Sequence, residues 1–120
     1  MTKGTKTTGL TTCTAAAAIK RGQILKYATD GKVTPCTAAT DAAVFIALDD
    51  AASGDRLACA ILGSATGTQL ALATGTITPG AFVNPLGAVA AAGNTVVGRA
   101  LDDAKAGEFT ELAHAVSRTL

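Results

Sequence analysis

From Gly22 onward the chain is a series of short apolar runs broken by turn residues, and no helical period is sustained. Residues 23–27, Gln-Ile-Leu-Lys-Tyr, and residues 32–34, Lys-Val-Thr, flank an Asp30-Gly31 pair. Asp-Gly adopts positive φ at low cost, so this stretch predicts a β-hairpin. Pro35 ends the second strand or marks an edge. Residues 44–48 are β-branched, aromatic and aliphatic, too few for a stable helix, and stop at Asp49-Asp50; they predict a buried strand. In residues 55–62, Leu57, Cys59 and Ile61 alternate with small residues and should face a core. Residues 68–72, 74–77, 81–83, 88–90, 95–100 and 108–116 read as further short strands. Strands and turns at this spacing predict an all-β domain, a small antiparallel β-barrel or sandwich.

The pattern occurs twice. Ala47-Leu48-Asp49-Asp50-Ala51 with Gly54-Asp55 returns as Ala100-Leu101-Asp102-Asp103-Ala104 with Gly107-Glu108. Upstream, Gly22-Gln23-Ile24-Leu25 and Asp30-Gly31-Lys32-Val33 have counterparts in Gly80-Ala81-Phe82-Val83 and Leu86-Gly87-Ala88-Val89. A repeat of roughly fifty residues is a multi-strand unit. The chain therefore reads as a single domain over residues 15–120, built from two related units at about 22–62 and 80–116.

The start of the chain breaks the pattern. After Met1, residues 2–12 are Thr, Lys and Gly with one Leu, and residues 1–14 are expected to form a flexible basic arm. Residues 14–21 predict one or two helical turns: Thr14 can cap, four alanines favour helix, and Lys20-Arg21 before Gly22 suits a C-terminus. Residues 37–43 read as a loop with at most a helical turn.

Charge sharpens this division. Net charge is +1, yet residues 1–29 carry +5 with no acid and the remainder carries −4. The near-neutral total argues against nucleic acid as the main partner, and the basic lead suits an acidic protein surface. Charged residues are 16% and aromatics 3% of a chain that is 48% hydrophobic. A small Ala-rich core with so little surface charge predicts an oligomer or another covered face. No apolar run is long enough to span a membrane. The N-terminal lysines precede no apolar segment of signal-peptide type.

Candidate chemistry is sparse. Cys13, Cys36 and Cys59 are odd in number and widely spaced, which fits buried thiols in a protein made in a reducing compartment. The Asp49-Asp50 and Asp102-Asp103 pairs do not match a calcium loop. They are expected to cap a single helical turn, with Gly54 and Gly107 supplying the left-handed exit. His114, the one imidazole, lacks a nucleophile-elbow neighbourhood and reads as structural. No catalytic set, metal site or cofactor site is expected.

The ordered segments Gly22 to Leu25, Asp30 to Val33, Ala38-Ala39-Thr40-Asp41-Ala42-Ala43, Val44-Phe45-Ile46 and Ala47 to Asp55 resemble the bacteriophage capsid cement proteins, also called head-decoration proteins. The second Ala-Leu-Asp-Asp-Ala, at residues 100–104, resembles that family's C-terminal half. The likeness runs from about Ala15 to Leu112. It implies a β-rich homotrimer on the outside of an assembled phage head, made in the host cytoplasm. Such a protein bridges major capsid proteins, with no enzyme activity, cofactor, nucleic-acid partner or membrane. The basic arm before Ala15 lies outside the shared pattern. Lys3, Lys6, Thr7, Thr8 and Leu10 are its candidate contacts with the capsid. A second reading is a small β-barrel ligand-binding or regulatory module of a larger enzyme system. It would need a concave site with aromatic or convergent polar groups.

Overall fold

The uninterrupted apolar run before Asp49 forms a strand with both faces covered. The structure, a computed structural model, describes residues 8–120. The first sheet comprises β1 (Leu10–Thr14), β2 (Ile24–Tyr27), β3 (Val33–Pro35), β4 (Phe45–Ala47) and β5 (Arg56–Ile61). Their order is β1-β5-β4-β2-β3, antiparallel throughout. Along β4, Phe45 and Ala47 point to one face and Ile46 to the other, and all three are buried. Phe45 and Ala47 pack with Leu25, Leu57 and Cys59 beneath Ala15 and Ile19. Ile24 and Ile46 enter a second cluster, shared with the other sheet. Full burial of a side chain such as Ile46 contributes about 1.5–3 kcal/mol.

The second sheet comprises β6 (Gln69–Leu72), β7 (Phe82–Val83), β8 (Thr95–Ala100) and β9 (Phe109–Thr119), in the order β6-β9-β8-β7. It contributes Ala71, Val83, Val97, Ala100 and Leu112 to the shared cluster. The architecture is thus an all-β sandwich of two antiparallel sheets.

The two sheets use the same register. Phe45, Ile46 and Ala47 lie across from Ile61, Ala60 and Cys59. One displacement along the chain carries these pairs onto Gly98–His114, Arg99–Ala113 and Ala100–Leu112. The crossing segments correspond as well: Ile19 bridges Ala51, and Ile77 bridges Ala104. The Gly22 amide donates to Ala47 O at 2.8 Å, and the Gly80 amide to Ala100 O at 2.7 Å. Pairing also extends upstream of the repeat read from sequence, since β1 lies on β5 as β6 lies on β9.

Three expectations are corrected here. Residues 74–77 and 88–90 form no strand, and each contributes a single bridge, Ile77 to Ala104 and Val89 to Val83. Residues 10–14, assigned to the flexible arm, form β1, with Cys13 packed against the first cluster. Thr is a good strand former, and this Thr-rich segment joins its own sheet. Residues 14–21 make no helical turn. The amides of Ala15, Ala16 and Ile19 donate instead to the distant carbonyls of Asp55, Val33 and Ala51, each at 2.8 Å. Tertiary pairing overrides the helix propensity of the alanines. Residues 1–7 of the expected arm lie outside the described residues.

The β2–β3 hairpin turns as its sequence requires. Asp30 and Gly31 have φ of 64° and 72°, within a short 3-10 turn over Thr29–Gly31.

Candidate functional site

Of the residues expected to meet a capsid, Thr8 and Leu10 lie at one edge of the first sheet. Lys3, Lys6 and Thr7 fall outside the described residues. The Thr8 carbonyl accepts the Thr66 amide at 3.1 Å, and the Gly9 carbonyl accepts the Ile61 amide at 2.8 Å. Leu10 opens β1 opposite Ala60 and is 41% exposed. β1 is an edge strand, so its outer side offers backbone groups that a further strand can pair.

The acidic turns are tied differently from the expected helical caps. The local role falls to the acid that closes each motif. Asp55 Oδ2 accepts the Ala52 amide at 3.1 Å, and Glu108 Oε1 accepts the Lys105 amide at 2.8 Å. Gly54 and Gly107, with φ of 91° and 87°, take the left-handed position of each turn. Asp50 Oδ1 accepts the Arg21 amide at 2.7 Å. Asp102 Oδ1 accepts both the Thr110 hydroxyl and the Glu111 amide at 2.9 Å. Among the described residues, the Asp49 and Asp103 side chains make no hydrogen bond. The turns therefore hold sheet to crossing segment, and strand to strand, without forming a helical turn.

His114 serves as a clasp. Its Nδ1 accepts the Gly63 amide at 2.9 Å, and Nε2 lies 3.0 Å from Gly67 O, to which it donates in that tautomer. The imidazole thereby joins the turn between β5 and β6 to β9, with both nitrogens engaged. Burial pushes the Cys36 and Cys59 thiols up to about 12, Asp41 adding to the rise at Cys36 and Cys13 to that at Cys59. Burial also raises Cys13. All three are poor nucleophiles near neutrality. Among the described residues no group of three or more His, Cys, Asp or Glu side chains comes together as a metal site.

A cleft of about 290 Å³ opens where the two units meet, lined by Ile24, Cys36, Leu72, Pro85 and Leu86 among others. Its walls carry no aromatic ring of the kind that the ligand-binding reading looks for.

Two arrangements escaped sequence reasoning. Asp41 organises residues 37–43 by accepting the Thr37 and Ala38 amides at 2.9 and 3.0 Å, and it pairs with Lys26 at 3.0 Å. On the second sheet, the guanidinium carbons of Arg99 and Arg118 lie 4.7 and 5.5 Å from the centroid of the Phe82 ring. Register places Arg99 opposite Phe82, and nothing in the spacing of residues 82, 99 and 118 announces that meeting.

Compared with protein-family models and with curated proteins, the chain matches none. Among solved structures it is similar to the head fiber gp8.5 N base in bacteriophage phi29. The TM-score is 0.70 at 18% sequence identity, over 92% of this chain and 97% of that one. The likeness is one of fold, and it takes in nearly the whole of both chains.

Proposed function

We propose that this chain is a structural decoration protein of a phage head. It binds the outside of the assembled shell and stabilises contacts between major capsid proteins. The observation that carries the reading is the near end-to-end fold likeness to a phage head fiber base. The resemblance of the repeated Ala-Leu-Asp-Asp-Ala segments to capsid cement proteins points the same way. Low surface charge and a small Ala-rich core support an assembled state, for which the proposal is a homotrimer at three-fold positions of the shell. The N-terminal residues, with Lys3 and Lys6, are proposed to reach the shell beyond β1. Their positive charge suits an acidic surface and makes docking sensitive to salt.

Co-sedimentation with phage heads that lack the protein tests the reading. Saturable binding to expanded heads, falling as salt rises, is expected. Absence of binding at any salt concentration would refute the proposal.

A further inference from the structure

Equivalent positions of the two sheets meet opposite surroundings. In the first sheet Ile24 lies across from Ile46, and Ile46 across from Ala60; all three are buried. The corresponding row in the second sheet is Phe82, Arg99 and Ala113. There Phe82 is half-buried, while Arg99 and Ala113 are exposed. The first sheet buries this face against the second sheet, whereas the second sheet turns it outward. Arg99 and Arg118 converge on the one ring, at 4.7 and 5.5 Å from its centroid. Among the described residues the ion pair is Lys26–Asp41, so neither arginine has a carboxylate partner.

Two guanidiniums gathered on one aromatic ring repel each other, and an anion between them removes that cost. The ring limits their freedom, so less side-chain entropy is lost when a ligand is bound. A guanidinium takes a carboxylate in a bidentate pair. Beside Arg99 the face is apolar, with Ala113 in the same row and Leu101 48% exposed two residues beyond, while Thr40, Ala42, Ser117 and Thr119 line a hollow with Arg118. Glu111 stands on the same strand and accepts the Thr68 hydroxyl at 2.6 Å. An isolated basic pair with apolar residues on one side, hydroxyls on the other and a carboxylate on the same strand suits a protein better than a nucleic-acid backbone, which calls for a broad basic field.

We infer that the Phe82–Arg99–Arg118 face is a docking platform for a carboxylate-bearing, partly apolar segment of a partner protein. That this partner is the phage shell rests on the function proposed above; the chemistry of the platform does not.

The test uses the full chain with labelled arginine and phenylalanine side chains, followed by NMR. The probes are a short Glu-Leu peptide, its Gln-Leu counterpart, inorganic phosphate and oligothymidylate. The Glu-Leu peptide should shift the Phe82 ring and the Arg99 and Arg118 Nε–H signals. The Gln-Leu peptide should not, and Arg99→Gln with Arg118→Gln should abolish the response without altering the rest of the spectrum. The same double variant should bind heads about tenfold more weakly or worse, as expected for two lost charge-assisted contacts. Equal shifts with the Gln-Leu peptide, or none with either, would overturn the platform. So would stronger responses to phosphate or oligothymidylate, or a changed molecular mass of the free double variant, which would mark a contact between copies. If the parent and double variant bind heads equally, the shell is not the partner of the platform and the head-binding reading stands, with the peptide response deciding the platform. If the parent fails to bind heads, that reading falls, and the peptide response alone decides the platform.

Discussion

The Arg21 amide donates to Asp50 Oδ1 at 2.7 Å and so ties the crossing segment of the first unit to its acidic turn. In the second unit the place of Arg21 is held by Pro79, as the matching Ile19–Ala51 and Ile77–Ala104 bridges show. Proline has no N–H, so Asp103 cannot make the bond that Asp50 makes. The other acid of the pair acts there. Asp102 accepts from the Thr110 hydroxyl and the Glu111 amide, whereas the counterpart of Thr110 in the first unit is Leu57, which has no hydroxyl to offer Asp49. One repeated dipeptide thus anchors two units through different members.

Asp50→Ala is therefore expected to lower stability by about 0.5–1.5 kcal/mol, the net worth of one exposed hydrogen bond, and Asp102→Ala by about 1–3 kcal/mol, since it also strips a partner from the buried Thr110 hydroxyl. Asp49→Ala and Asp103→Ala should fall within about 0.5 kcal/mol of the parent. Urea unfolding of the four variants checks this. Equal losses at all four positions would mean that the acids act through charge alone.

The three thiols are expected to resist alkylation in the native protein at about pH 8, because each is held mostly protonated. Cys13, half-exposed beside Cys59, should react first, with Cys36 and Cys59 reacting only on unfolding. Mass spectrometry of iodoacetamide-treated protein reads the order. Rapid native labelling of Cys36 would show that its burial is not maintained.

Asp41 gives the protein an acid-sensitive contact. Burial works against its charged form, but the Ala38 amide, the Lys26 ammonium and the Thr37 amide outweigh that and hold its carboxyl below the ordinary value of 3.8. The folded carboxyl binds a proton less readily than the unfolded one. Its stabilisation is thus present above the ordinary value and lost as pH falls through the folded one. The melting temperature of the parent should exceed that of Asp41→Asn at neutral pH, and the gap should close below about pH 4. A gap that persists unchanged in acid would assign the effect to packing.

Much of the fold was legible because local and tertiary signals agree. The apolar run at β4 lies in a sheet covered on both sides, so no polar alternation interrupts it. Asp30-Gly31 carries the backbone conformation its turn requires. β1 was hidden because its inward residues are Thr11 and Cys13, and a Thr-rich strand at an edge carries little apolar pattern. The alanines of residues 15–18 favoured a helix locally, while the carbonyls of Val33, Ala51 and Asp55 claim the amides of this segment. The Phe82 platform depends on strand register and on β9 reaching Thr119, farther than its apolar residues suggest.

The course of β1 also fixes where the arm can be cut. Deleting residues 2–7 leaves every strand pair of the first sheet in place, and the melting temperature should stay near that of the parent. Deleting residues 2–14 removes β1, uncovers Leu57 and Cys59, and should lower it by several degrees or prevent folding. Binding to heads should weaken already with the shorter deletion, and in part with Lys3→Glu and Lys6→Glu together. Unchanged binding with the shorter deletion would leave docking to the β domain alone.

Electron cryo-microscopy of heads incubated with the protein tests the central claim most directly. The account predicts added density on the outer surface at three-fold and quasi-three-fold positions, three copies to a site, each fitted by the two-sheet sandwich. Heads without added density, or single copies away from those positions, would contradict it.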